Sequence, residues 1–515
     1  MKISRCSGIL LHPTSLPSRF GVGDFGKEAF HFAEQLSASG QTIWQMLPIG
    51  PAGYANSPYQ ALSAFAGEPL LISLENLVQR GYLEPADLED APAFPHETID
   101  YDAVRAWKIP LLAKAARNFL SSAQGDDPEQ FQRFCSANAH WLEDYAMFAV
   151  LRSQFPGRSW VDWDRGLANR DPQELSKVRR ELHAEMESQK YWQFEFYRQW
   201  SALRDFCKRR GLLLMGDLPI YVSHESADVW AHRDQFCLDR RGNPSFVAGV
   251  PPDYFSQTGQ LWGNPIYRWS AMQRQGFTWW IERFRNIFHL FDIVRVDHFR
   301  GFEAYWSVPA GEKTAVNGKW MKAPGRKLFR KLSQSLGELN VVAENLGVIT
   351  NEVEELRREF GFPGMAVLQF AFGSDPQAAT FRPHNFERHV FAYTGTHDND
   401  TIMGWWNSGS GNSTRSHEET EQEKIAVRRY LGPHHEPLNW SFIRLLYASV
   451  ADVVIIPMQD VLGLGSEARM NLPGSDNGNW RWRMLPGAFA PSLEAQLREL
   501  AEIYERIPHH PATES

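Results

Sequence analysis

Eight short apolar runs recur along the chain, and each ends where polar residues, glycine or proline begin. Runs of about four to eight residues with this character predict buried strands, and amphipathic stretches between several of them predict helices. Strands that alternate with helices favour an α/β fold, and eight of them predict one (β/α)8 TIM barrel over residues 1–515, with large, mainly helical insertions. The predicted strands are 8–12, 43–48, 212–217, 292–297, 341–344, 366–370, 391–394 and 452–457.

Three segments depart from this alternation. Residues 75–200, between the second and third predicted strands, are too many for one crossover and are mainly helical in pattern. Trp141 and Tyr145 repeat there at helical spacing, which favours core packing over contact with a ligand. Residues 245–270 predict an active-site loop, and residues 408–437 a polar surface insertion that includes a mobile stretch.

Composition excludes several classes of protein. The chain has 515 residues and a formal net charge of -8, which argues against nucleic acid as a partner. Aromatic residues make up 13%, more than a core alone usually requires, so some rings are expected to face a ligand. The four cysteines form no C-x-x-C pair, and no apolar run is long enough to span a bilayer. We therefore expect a cytoplasmic protein with no membrane partner, and the sequence does not predict its oligomeric state.

Three carboxylates lie at the ends of predicted strands: Asp297 ends the fourth, Glu344 ends the fifth and Asp398 follows the seventh. Since parallel strands end at one face of a barrel, these side chains are expected to converge there. Paired carboxylates at such a face indicate acid/base and nucleophilic chemistry on a glycosidic bond.

Arg295 and Asp297 alternate with Val294 and Val296, so they are expected on one face of their strand. A fixed cation there would keep Asp297 ionised at neutral pH, as a nucleophile requires. A purely structural ion pair is an equally good interpretation of this motif alone.

Glu344 follows Val341, Val342 and Ala343, and such apolar surroundings would raise the pKa of its carboxyl group. A carboxyl group of that kind can serve as a general acid. The alternative, a strand-end glutamate paired with an arginine, is the commoner situation for one glutamate taken alone.

Aromatic and polar residues with the chemistry for binding sugars occur in two loops and at several strand ends. Sugar faces stack on aromatic rings, while carboxylates and amides hydrogen-bond the hydroxyl groups. About half of the rings could instead hold loops together. The candidates are Tyr59, Asp217, Tyr254, Phe255, Trp262, Asn264, His298, His397 and Asn471.

The sequence closely resembles the amylomaltases, bacterial 4-α-glucanotransferases of the α-amylase clan, over almost its whole length. The matching motifs are GILLHPTSLPS, SPYQALSAFAGEPLLISLE, GDLPIYV, GVPPDYFSQTGQLWGNPIY, RVDHFRGFEAYW, VVAENLG, TGTHDNDT and RMNLPG. One departure is Ala55, where the family often has glycine.

The resemblance implies roles for individual residues. Asp297 would be the nucleophile, Glu344 the general acid/base and Asp398 the carboxylate that stabilises the transition state. Supporting contacts to the sugar would come from Arg295, Asp217, His298 and His397, and the rings along the groove would be Tyr59, Tyr254, Phe255 and Trp262. The implied partners are α-1,4-glucans and glucose, and no metal or organic cofactor is expected.

Three other functions compete with this interpretation. Residues 21–26 form a literal G-x-G-x-x-G, but the next strand lacks the acidic residue that a dinucleotide site needs. A metal-dependent barrel hydrolase is possible because His12, His298 and His397 lie near strand ends, although no H-x-H cluster occurs. A non-catalytic glycan-binding protein would use the aromatic residues without needing three converging carboxylates.

Overall fold

The protein is described by a computed structural model that covers residues 3–252, 256–408, 417–433 and 436–507. Within these ranges the strands are β1 Cys6–Leu10, β2 Ile43–Gln45, β3 Leu213–Leu218, β4 Phe246–Val250, β5 Gln260–Pro265, β6 Ile293–Val296, β7 Ala304–Pro309, β8 Lys319–Lys322, β9 Val341–Ala343, β10 Gly364–Val367, β11 Val390–Tyr393 and β12 Val453–Pro457.

The α-helices of the same ranges are α1 Lys27–Ala38, α2 Leu74–Gln79, α3 Tyr101–Ser122, α4 Asp127–Ala137, α5 Ala139–Gln154, α6 Arg165–Ala168, α7 Pro172–Glu181, α8 His183–Arg209, α9 Ala227–Ala231, α10 Trp269–Arg274, α11 Thr278–Leu290, α12 Gly325–Leu336, α13 Asn351–Glu359, α14 Ile402–Asn407, α15 His417–Leu431, α16 Leu438–Tyr447, α17 Met458–Val461 and α18 Pro491–Ile503. None of these helices combines the length and the apolar character that crossing a membrane requires.

Eight strands form a parallel sheet in the order β10-β11-β12-β1-β2-β3-β6-β9. Its two outer strands approach each other, because the Ala343 amide at the end of β9 donates to the Pro363 carbonyl just before β10, at 2.9 Å. The sheet is therefore a nearly closed barrel, and each of its strands overlaps one of the eight predicted apolar runs. The predicted barrel is confirmed.

The apolar runs form strands because both of their faces are buried. Every residue of β12 and of β6 is buried, as expected for parallel strands covered by helices on one side and packed inside the barrel on the other. Asp217 in β3 stands opposite Arg295 in β6, so these polar side chains occupy neighbouring positions at the carboxyl end of the barrel.

The helices between β2 and β3 share one hydrophobic core with the barrel. Trp200 of α8 packs against Phe25 and Phe291, with ring centroids 5.1 and 5.2 Å apart. Trp141 and Tyr145 are buried in the same core, as their spacing predicts. Residues 75–200 therefore pack largely on the barrel wall.

A second, antiparallel sheet has the order β5-β4-β7-β8. Two of its strands lie within residues 245–270, so the prediction that this range is a loop was wrong. Gly249, Pro251 and Pro252 indicate a loop locally, but β4 pairs with β5 on one side and with the distant β7 on the other. We call this the accessory sheet.

The polar segment 408–437 was also only partly interpreted correctly. Residues 417–431 form α15, which buries Thr420, Glu423 and Val427, so the mobile stretch predicted there extends too far. One buried face is enough to order a helix whose composition is otherwise polar. Residues 409–416 and 434–435 lie outside the described residues.

Candidate active site

Arg295 stands between two carboxylates at the carboxyl end of the barrel. Its Nη1 lies 2.5 Å from Asp217 Oδ2, and its Nη2 donates to Asp297 Oδ1 at 2.9 Å. Side-chain exposure is 4% for Arg295 and 0% for Asp217, but 27% for Asp297. Asp297 is thus the member of the group that remains open to a bound molecule.

The pKa of Asp297 differs from the expectation based on the sequence. Burial raises it to about 8, and the attraction of Arg295 is countered by Asp217, Glu344 and Asp398. Burial opposes the charge of Arg295 as well, but Asp217 and Asp297 raise its pKa above the usual range. The raised pKa of Asp297 differs from the expectation that Arg295 keeps Asp297 ionised, because burial opposes the charge and Arg295 is shared with Asp217.

Glu344 is held by two backbone amides. Its Oε2 accepts from the His298 amide at 2.8 Å, and its Oε1 accepts from the Leu346 amide at 3.1 Å. Burial raises the pKa of Glu344, although Arg295 and these two amides act in the opposite direction. A raised pKa is what the apolar run before Glu344 predicts, and it is the direction that a general acid needs.

His298 turns the chain away from Asp297 in the left-handed region, with φ 50° and ψ 49°. That conformation costs a residue other than glycine about 1–3 kcal/mol, and here it points the His298 amide at Glu344. The imidazole meets the Trp262 ring edge to face at 4.8 Å, and burial lowers its pKa to about 3. His298 is therefore neutral and lies beside both catalytic candidates.

Asp398 is fixed from two sides. Asn471 Nδ2 donates to its Oδ1 at 2.6 Å, and His397 Nε2 lies 3.3 Å from the same oxygen. The His397 ring stacks on Tyr59 with centroids 4.9 Å apart, and the Tyr59 hydroxyl donates to Asp217 Oδ2 at 2.8 Å. A continuous polar path thus joins Asp398 to the Arg295 group.

The remaining sequence candidates differ in position. Trp262 contacts His298 and so borders the site, whereas Asn264 is buried and donates to the Val222 carbonyl at 2.9 Å. Asn264 also pairs with the amide of Gln60, which makes it a link between loops. Tyr254 and Phe255 lie outside the described residues.

Two residues of the site were not predicted from the sequence. Arg469 donates to the Asp398 carbonyl at 2.6 Å and to the Asn471 carbonyl at 2.7 Å, so it shapes the loop that carries Asp398. Its position two residues before Asn471, in the RMNLPG motif, was the available signal. The Trp480 ring centroid lies 5.7 Å from that of Tyr59 and 5.9 Å from that of His397. Trp480 occurs in a polar stretch of the sequence that gave no signal of this position.

In the described part of the chain, no group of three or more histidine, cysteine, aspartate or glutamate side chains is arranged to hold a metal ion.

The glycines of the G-x-G-x-x-G motif at residues 21–26 are explained by packing and backbone conformation. A Cβ on Gly23 would lie 2.1 Å from the Pro13 carbonyl oxygen, and Gly21 has φ +80°.

Comparison with known proteins decides among the competing functions. A family model described as 4-alpha-glucanotransferase matches residues 11–488. The chain belongs to the 4-alpha-glucanotransferase family. This membership makes the protein a glycosyl-transferring enzyme, and the non-catalytic alternative is set aside.

Relatives of the family match nearly the whole chain. The chain is 48% identical over 515 residues to a 4-alpha-glucanotransferase of Thermus thermophilus, covering 98% of this chain and 100% of that one. It is 44% identical over 506 residues to a chloroplastic/amyloplastic 4-alpha-glucanotransferase of Solanum tuberosum, covering 97% and 85%. The amylomaltase of Streptococcus agalactiae, solved in complex with acarbose, superposes with a TM-score of 0.92 at 36% identity, covering 98% and 99%.

Proposed function

We propose that this 4-alpha-glucanotransferase moves segments of α-1,4-glucan from a donor to an acceptor glucan or to glucose by double displacement, with Asp297 as nucleophile and Glu344 as acid/base. The observation that carries the proposal is the contrast between the two carboxylates. Asp297 accepts from the Arg295 guanidinium and remains partly exposed, whereas the carboxylate of Glu344 accepts from two backbone amides. Different environments for two neighbouring carboxyl groups assign different roles to them.

In the first step, Asp297 attacks the anomeric carbon while Glu344 gives its proton to the glycosidic oxygen. The bond to the leaving sugar breaks, its 4-hydroxyl forms, and the donor segment becomes an ester of Asp297. A proton on Glu344 removes one of the charges that raise the pKa of Asp297, so the protonated acid and the ionised nucleophile favour each other.

In the second step, ionised Glu344 takes a proton from the acceptor hydroxyl, which attacks the same anomeric carbon and releases Asp297. Two inversions give net retention of the α linkage. Transfer rather than hydrolysis requires that an acceptor sugar be positioned better than water.

The other polar residues would hold the sugar being transferred. Asp398 has its Oδ1 occupied by Asn471 and His397, which leaves Oδ2 to accept from sugar hydroxyls. His298 Nε2 is buried and lacks a partner within the described residues, and so does Asp217 Oδ1. Unsatisfied buried polar atoms of this kind are costly unless a ligand completes them.

We further propose that the enzyme works in the cytoplasm and needs no metal ion or organic cofactor. All four cysteines are free, which suits a reducing compartment. Neither chemical step above calls for a metal ion or a cofactor. Glucose as an acceptor follows from the same second step, since it offers the required hydroxyl.

The test is incubation with pure maltotriose, followed by chromatography of all products and a count of reducing ends. Disproportionation predicts glucose together with a ladder of longer glucans and a constant number of reducing ends. Glucose and maltose alone, with reducing ends increasing in step, would identify a hydrolase instead.

A further inference from the structure

One arginine ties the loop after Asp297 to the loop after Glu344. Arg300 lies in the short 3-10 helix Phe299–Phe302, and its Nη1 donates a hydrogen bond to the Val348 carbonyl oxygen. Val348 follows Glu344 in the loop that leads to α13. The contact therefore joins the two segments that carry the catalytic pair.

The guanidinium group of Arg300 packs against the accessory sheet. Arg300 is 6% exposed, and its guanidinium carbon lies 3.7 Å from the ring centroid of Trp320 on β8. Trp320 in turn meets Trp306 of β7 edge to face, with centroids 5.2 Å apart. A planar guanidinium stacked on an aromatic face keeps one orientation, so Nη1 stays directed at the Val348 carbonyl.

The position of Glu344 depends on the distance between these same two loops. Its carboxylate accepts from His298 in one loop and from Leu346 in the other. Between Leu346 and Ile349, which both pack against the core, the loop is exposed at Gly347 and Val348. The Phe299 amide also donates to the Glu344 carbonyl at 3.1 Å, and the Arg300 contact joins the two loops once more, at Val348.

We propose that Arg300 is a positioning residue that holds Glu344 in register for proton transfer, with Trp320 as its support. The inference rests on the proposed role of Glu344 as acid/base. Arg300 acts through Val348 and the loop geometry. Lysine would keep the charge but lose the planar group that both stacks and donates.

The test compares two donors in the first turnover. Maltotriose needs a proton on its leaving oxygen, whereas α-maltotriosyl fluoride releases fluoride without one. Arg300→Met, Arg300→Lys and Trp320→Leu should slow glucose release from maltotriose by about 10- to 100-fold, part of the 10²–10⁴ that a general acid contributes. The fluoride burst should slow by less than about 3-fold, since the acid is not needed there.

A pH profile supplies a readout that a merely structural role would not move. A loosened loop admits water to Glu344 and removes part of the burial that raises its pKa. The alkaline limb of kcat/KM on maltotriose should therefore move to lower pH in Trp320→Leu, which keeps the charge of Arg300. Arg330→Met removes an exposed arginine that pairs with Glu359, and should change neither the donor ratio nor the profile.

Glu344→Gln is the reference variant, because it distinguishes failure of the proposed function from failure of the role proposed for Arg300. If Glu344→Gln shows no selective loss on maltotriose, the proposed function is wrong. If it does, but the Arg300 and Trp320 variants slow both donors equally and leave the pH profile unchanged, Arg300 is only structural and this inference is overturned. Should Arg300→Met fail to fold, Arg300→Lys and Trp320→Leu carry the comparison.

Discussion

Arg295 donates a 2.9 Å hydrogen bond to Asp297, yet burial raises the pKa of that carboxyl group to about 8. The same guanidinium also neutralises Asp217, so its charge is divided. Glu344 and Asp398 add further negative charge. The group therefore retains a proton near neutral pH, and in our account Glu344 donates it.

The electrostatic coupling between Glu344 and Asp297 predicts how the pH dependence of the fluoride burst changes in Glu344→Gln. Glu344 raises the pKa of Asp297, so in Glu344→Gln the ionisation of Asp297 should move to a pH below about 8. The rate of the fluoride burst from α-maltotriosyl fluoride, measured against pH, reports this ionisation. Glu359→Gln, at a surface glutamate that pairs with Arg330, is the control. A burst rate that still rises through pH 8 in Glu344→Gln would show that the coupling is absent.

Asp297→Asn should separate activity from stability. Removal of the proposed nucleophile should lower kcat by about 10⁴-fold or more. Because burial raises the pKa of Asp297 above its unfolded value, the ionised form destabilises the fold, increasingly as pH rises from about 4 to about 8. The Tm of the variant relative to the parent should therefore increase across that range. A difference that is constant or decreasing with pH would contradict the burial argument.

The Tyr59 hydroxyl should matter more than a matched hydroxyl at the surface. Tyr59→Phe leaves Asp217 Oδ2 without one of its donors, and loss of a buried partner costs about 1–3 kcal/mol. Tyr54→Phe also removes a tyrosine-aspartate hydrogen bond, to Asp476, but Tyr54 is 68% exposed. Chemical denaturation should show a loss for Tyr59→Phe only. Equal effects in the two variants would mean that Tyr59 does not support Asp217.

Asn471→Ala should weaken catalysis through Asp398. A hydrogen bond to a charged group contributes about 1.5–3 kcal/mol, so kcat/KM on maltotriose should fall by about 10- to 100-fold. Asn479→Ala, which removes contacts to Leu472 and Ser475 in the same loop, is the control and should have a much smaller effect. Similar losses in both variants would assign Asn471 to loop structure instead.

The barrel could be predicted from sequence because each strand is defined by its own apolar run. The accessory sheet could not, since β4 gains its order from β7, which lies far along the chain. Gly249 and Pro251 predict a loop through their local conformational preferences. Strand pairing depends instead on distant residues that the fold brings together. The same limit explains why α15 was missed, as its buried face depends on what it packs against.

The functional site, like the fold, could be predicted from the sequence only in part. Asp297, Glu344 and Asp398 were predicted from their positions after strands, but the sharing of Arg295 with Asp217 depends on register between β3 and β6. Burial and this sharing together raise the pKa of Asp297, and neither can be read from the sequence around it. Ala55 is informative in another way: it has φ 52°, a left-handed conformation that glycine adopts freely and alanine adopts at some cost.

Capture of the covalent intermediate tests the central claim most directly. Glu344→Gln should form the ester from α-maltotriosyl fluoride but lack the base that the second step needs, so the intermediate should accumulate. Mass spectrometry of the digested protein is then expected to find one maltotriosyl group on the peptide containing Asp297, and on Asp297 itself after fragmentation. A maltotriosyl group on any other residue, or fluoride release with no modified peptide, would contradict double displacement through Asp297.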